Sequence, residues 1–275
     1  MAAVVSKRAA AQRSALRRLL AGALLTLSAA AAGAETITGA EYAAPVERYG
    51  HFALGRPHEY ARLTVSTDAG RRHALELPAD EVFEDLAPRQ LTLAPGEPPA
   101  LLTIVSQRHS GARLALIGLR DGRLEISAQS PPIGTPMRWL NPVGVADLDG
   151  DGQAEIAAVT TPHLGGTLRI YRRTGKQLLE IATLADVSNH IYGSSELGLS
   201  TPVSIAGRMQ LLVPDSTHRR LRLIALHDGQ LVETAHCPLA APLTGAVRQA
   251  SATEVSVELL TGPAQIALKD CPASK

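Results

Sequence analysis

The sequence predicts an all-β protein, a single β-propeller of short four-stranded antiparallel blades. Three observations lead there. Beyond residue 34 the chain shows almost no helical periodicity. Runs of aliphatic and β-branched residues recur between glycine, proline and aspartate turns, the pattern of many short strands. Those runs also repeat: Ala100-Leu101-Leu102-Thr103-Ile104-Val105 returns 54 positions later as Ala154-Glu155-Ile156-Ala157-Ala158-Val159, and after a similar interval as Arg208-Met209-Gln210-Leu211-Leu212-Val213.

Taken in order, strands are expected around Arg62–Val65, Leu101–Val105, Arg113–Ile117, Leu168–Tyr171, Met209–Val213, Leu221–Ala225 and Val255–Leu259. Within each repeat a polar-glycine turn follows, at Asp121-Gly122, Thr174-Gly175 and Asp228-Gly229, which is a hairpin signal. A degenerate copy upstream aligns His51–Val65 with Leu91–Val105, and Gly245–Leu268 holds two or three further strands. Ala79–Leu86, after Pro78, is the one segment that reads as a helical turn. A period of about 40–55 residues over the chain from Glu35 gives about five blades, with four or six as neighbours. An open β-sandwich is the competing architecture. Aromatic residues are sparse, so the core has to be built from Leu, Val, Ile and Ala.

The first 34 residues read differently. Lys7, Arg8, Arg13, Arg17 and Arg18 precede an apolar run at Leu19–Leu27 and a small-residue site at Ala32-Gly33-Ala34, the pattern of a cleaved secretory signal peptide. The alternative, a membrane anchor, suffers from a run shorter than the roughly 20 residues a span requires. Export to the periplasm or the medium is therefore expected, with residues 35–275 as one domain. Removing those five basic residues from the 27 leaves 22 against 26 acidic ones, a net charge of −4. Such a balance argues against nucleic acid as a partner, which calls for a basic surface. No later segment has the length of a membrane span, and a monomer is expected. Cys237 and Cys271 are the only cysteines; in an oxidising compartment they form a possible disulfide, two unpaired thiols being the other option.

The chemistry concentrates in Asp147-Leu148-Asp149-Gly150-Asp151-Gly152-Gln153-Ala154-Glu155. Carboxylates at positions 1, 3, 5 and 9 of a curling loop suit a hard cation, and calcium takes six to eight oxygens. An EF-hand needs a bidentate Glu at position 12 and flanking helices, but Ala158 stands there, inside a strand-like run. A dockerin-like loop fails for the same reason, and a solvated acidic turn is the remaining alternative. With its flanks Val143-Gly144-Val145-Ala146 and Ile156, the stretch resembles the calcium loop of FG-GAP/VCBS repeats, the blades of integrin-like propellers and of many exported bacterial proteins. The resemblance is specific over residues 139–190. It implies one structural Ca2+ held by the side chains of Asp147, Asp149, Asp151 and Glu155 and the main-chain carbonyl of Gln153. Glu155 stands where that family usually has Asp.

Catalytic patterns are weak. The polar insertions around the same repeat, Thr161–Gly166 and Ser188–Glu196, make His163, Asn189 and His190 candidate ligand-facing residues on the axial face. The expected function is a non-enzymatic binding or scaffold module for a protein or carbohydrate ligand. The alternative is a carbohydrate-active lyase or hydrolase, which converging carboxylates, tyrosines or a histidine pair on the axial face would favour.

Overall fold

The computed structural model describes residues 35–274; the segment read above as a signal peptide, residues 1–34, lies outside the described residues. Among the described residues nineteen strands follow one another in a chain of antiparallel meanders. The first is β1 (Ile37–Pro45), β2 (Tyr60–Thr67) and β3 (Arg72–Glu76). After the short β4 (Glu81–Phe83) comes a second: β5 (Arg89–Leu91), β6 (Ala100–Gln107), β7 (Gly111–Arg120) and β8 (Arg123–Gln129). A third comprises β9 (Leu140–Ala146), β10 (Glu155–Thr160), β11 (Thr167–Thr174) and β12 (Gln177–Ala185). A fourth comprises β13 (Thr201–Ile205), β14 (Arg208–Pro214), β15 (Arg220–His227) and β16 (Gln230–Pro238). The last has three strands, β17 (Leu243–Gln249), β18 (Glu254–Leu259) and β19 (Gly262–Ala267), and ends in a single 3-10 turn at Leu268–Asp270.

The first three meanders are hydrogen-bonded into one twelve-stranded network, because β4 bridges β2 to β6 and Gln177 of β12 meets Gln129 of β8 in parallel. The other two sheets pair only within themselves, so the strand pairings do not close into a ring. The three repeated runs seen in the sequence become β6, β10 and β14, each the second strand of its meander. The glycine turns are two-residue hairpins whose residues need positive φ: Asp121 (50°) and Gly122 (71°), and again Asp228 (48°) and Gly229 (74°).

Side-chain alternation explains why these second strands are continuously apolar. Ile156 and Ala158 of β10 enter the core shared with β6 and β7, while Ala157 and Val159 enter the core shared with β14 and β15. A strand has a period of two, so a run buried on both faces belongs to a sheet sandwiched between two others. Four such cores join successive meanders, and they are built almost wholly of Leu, Val, Ile and Ala. Cys237 and Cys271 are disulfide-bonded, tying β16 to the C-terminal segment.

The helical turn expected at Ala79–Leu86 is not formed. Glu81–Phe83 is strand β4, with Phe83 fully buried and laddered to Tyr60 and Val105. Burial of Val82 and Phe83 between two sheets outweighs a single turn of weak local preference. The first and last meanders also fall short of four strands, since β1–β3 and β17–β19 have three each.

Packing between sheets sets a steric limit at Gly144 of β9, where an added Cβ would stand 2.5 and 2.6 Å from the Pro202 ring carbons on β13. Gly144→Ala is expected to destabilise by about 1–3 kcal/mol, as overpacking does, read from urea unfolding. Gly118→Ala on β7, where the nearest atom is 3.8 Å away, is the control and should be close to neutral.

Candidate functional site

Two features stand out, at opposite ends of β10. The acidic loop precedes the strand, and a histidine cluster gathers around the 161–166 loop that follows it.

The acidic loop is wound on its own carboxylates. Asp147 accepts from the Gly150 N–H at 2.7 Å and the Gly152 N–H at 3.0 Å, and Asp151 accepts from the Gln153 N–H at 2.8 Å. Gly150 and Gly152 sit at φ of 83° and 87°, which favours glycine. Leu148 is buried and anchors the loop in the core between β10 and β14. This winding brings one oxygen from each of Asp147, Asp149 and Asp151 within 4.8 Å of one another, a hard-donor triad that fits a divalent cation. Gln153 is exposed at the rim.

Glu155 is placed differently. It is fully buried; one oxygen accepts from the Leu148 N–H at 2.9 Å, and the other from Arg172 Nε at 3.0 Å and Nη2 at 2.7 Å. The same Nη2 also contacts Asp149 and lies 4.0 Å from Asp151. Hydrogen bonding to Glu155 raises the guanidinium pKa further, so Arg172 is a permanent positive charge among the loop's acids. The glutamate thus clamps the loop to β11, and the aspartates form the exposed donor set. On its outer side the loop borders a cavity of about 960 Å³ shared with the β13–β14 and β15–β16 turns.

At the other end of β10, His163 and His190 meet at 2.8 Å, Nε2 to Nδ1. His190 Nε2 lies 2.9 Å from the Ser194 carbonyl, which can only accept, so His190 carries its proton on Nε2 and accepts from His163 through Nδ1. Burial pushes both rings down to about 4, with neighbouring histidines adding to the effect on His163, so both are neutral at pH 7. Trp139 lies beside the pair, its ring parallel to His163 at 6.2 Å and 4.7 Å from His190. Its indole N–H donates to the Glu84 carbonyl.

A pocket of about 320 Å³ opens over this cluster, lined by His51, Met137, Trp139, Thr161, His163 and Tyr192 among others. His51 Nδ1 is 2.9 Å from the Glu84 carboxylate, which is fully buried and also takes the Ala53 N–H and the Ser106 hydroxyl. Sequence reading reached His163 and His190 because both fall in polar insertions around one repeat. It missed His51, Glu84 and Trp139, which come from other segments, and Tyr192, which shares the insertion of His190; Tyr192 bonds the His51 carbonyl across 141 residues. Local spacing carries no signal for such a contact.

Asn189 is not ligand-facing. It is fully buried, donating to the Asn141 carbonyl and to Ser200 while Asn141 donates back to its carbonyl. The exchange ties the 186–200 segment to β9, which is why the amide faces inward. His190 is buried as well, and acts on the pocket through His163.

The chain matches no protein-family model and no curated protein.

Two outcomes are expected. Arg172→Gln leaves the buried Glu155 carboxylate with the Leu148 N–H alone, and since Arg172 is itself about a third exposed the expected cost is about 1–3 kcal/mol, read from urea unfolding. A second concerns acid. His163 and His190 have folded-state pKa values of about 4, below the unfolded value near 6.5. Their contribution to stability is therefore complete above pH 6.5 and is lost as pH falls from there toward 4. The His163→Gln/His190→Gln double variant should show a flatter fall in melting temperature over that window.

Proposed function

We propose that the chain is an exported, calcium-pinned β-propeller of the FG-GAP/VCBS type that serves as a binding or scaffold module for a protein or carbohydrate ligand. The observation that carries this reading is the convergence of Asp147, Asp149 and Asp151 within 4.8 Å at one end of a four-stranded meander. On this reading the five meanders are the blades, and the third is the one with a metal loop. The turns in the corresponding place before β6 and β14, 92–99 and 206–207, lack its aspartates, Glu97 being their one acid. The calcium is structural: it offsets repulsion among three clustered carboxylates and pins a loop whose one buried apolar side chain is Leu148. Glu155 then serves as the strut to Arg172. Export is supported by the leader pattern of residues 1–34 and by a disulfide, a bond that persists in oxidising compartments.

The enzyme reading gains from the paired His163 and His190 with Tyr192 at the pocket, and from the Glu84 carboxylate behind His51, which has the form of an oriented general base. Against hydrolysis, no acidic residue among the described residues lines the pocket, whereas glycoside hydrolases ordinarily use two carboxylates.

Adding EGTA should lower the melting temperature and excess calcium should restore it. Asp149→Ala should reproduce the chelated state and make further chelation inconsequential. A melting temperature indifferent to calcium at every concentration would remove the metal from this proposal.

A further inference from the structure

Four separate segments, 46–59, 130–139, 161–166 and 186–200, converge on the histidine pocket, and several features there have no role in holding the sheets together. Two of its lining residues, Met137 and Thr161, hold φ values of 52° and 50°, and Phe52, next to His51, holds 53°. For a β-branched residue such as Thr161 this conformation is strained, and strain of that kind gathers at functional sites. Large apolar side chains stay in water around it: Leu164 is 61% exposed, Tyr192 58%, Met137 40% and Ile191 37%. They are four of the seven exposed large hydrophobic residues described, a concentration that marks a contact surface.

The hydrogen-bonding capacity of the pocket follows from its inner partners. His163 spends its Nε2–H on His190, so its Nδ1 keeps a lone pair with no partner among the described residues. His51 Nδ1 is taken up by Glu84, which leaves Nε2 without a partner among the described residues. The Tyr192 hydroxyl is used on the His51 carbonyl, so what Tyr192 offers is its ring. Arg138 is the one permanently charged residue in the lining, and its guanidinium donates to the Met137 carbonyl.

The geometry points to a binding site for a hydroxylated ring, a sugar unit, with one hydroxyl donating to His163 Nδ1 and another bonding His51 Nε2 while its apolar face lies on Tyr192. A lining without carboxylates does not select a cation. A cavity of about 320 Å³ is at the small end of ligand sites, sized for one ring rather than a long chain. This assignment rests on the binding-module reading and names the ligand class for it.

Trp139 is the only tryptophan in the chain, and it stacks on His163, so its fluorescence reports the pocket directly. The full exported chain, in calcium, would be titrated with glucose, galactose, mannose, xylose and N-acetylglucosamine and screened on an array of neutral glycans. The expected result is a saturable change in Trp139 emission with at least one sugar. Tyr192→Ala and His163→Gln should each weaken it about tenfold or more, and Tyr192→Ala, at an exposed site, should keep the parent's melting temperature. The assignment is overturned if no glycan binds, if binding ignores both substitutions, or if only Zn2+ or Cu2+ gives a saturable, His163-dependent response. Turnover of a bound sugar would retain the site and its ligand class but overturn the non-enzymatic reading. A response to a protein partner with none to any glycan would do the reverse.

Discussion

The second strands of the central meanders are buried on both faces, and the rest of the molecule is arranged around that constraint. A strand such as β10 has to send alternate side chains into two different cores, Ile156 and Ala158 to one side and Ala157 and Val159 to the other. Both layers must therefore be supplied by neighbouring sheets, and the sheets stack in sequence order. Small residues at 157 and 158 and a bare backbone at Gly144 let those layers approach closely. The acidic loop and the histidine pocket lie at the strand ends, outside those layers.

At one end, charge has been concentrated and then partly neutralised from within. Four carboxylates fall within nine residues, but they do not act as one set. Glu155 is drawn into the sheet, where full desolvation demands a cation and hydrogen bonds, and Arg172 and the Leu148 N–H supply them. The three aspartates stay at the surface, where backbone N–H groups of the loop satisfy part of their accepting capacity and leave a hard-oxygen triad. A buried clamp and an exposed donor set are built from one motif because burial differs by a few ångströms along it.

At the other end the polar groups are ordered by partners behind them. Glu84 stands behind His51, and Ser194 and His190 stand behind His163, so each imidazole that lines the pocket has its tautomer set from inside. The same straps are held by backbone contacts, including the Gly193 N–H on the Ala53 carbonyl and the Asn141–Asn189 exchange. Rigid support beneath an exposed aromatic rim is the arrangement expected of a preorganised site.

Much of this was legible in the chain alone. Period-two apolar runs, Asp-Gly and Thr-Gly hairpins and a 54-residue repeat determine strands, their turns and their equivalence, because each depends only on neighbours within a few residues. The Asp147–Asp151 spacing likewise determines that three carboxylates face one centre. What only the tertiary structure decided depends on contacts between distant segments. Phe83 lies in a strand because two sheets cover it, although its local sequence reads as a turn of helix. Glu155 is a clamp because Arg172 lies across the ladder from it, and Asn189 is buried because Asn141 receives it. The pocket joins His51 to Tyr192 over 141 residues, a separation at which the order of amino acids carries no pattern and only packing brings the groups together.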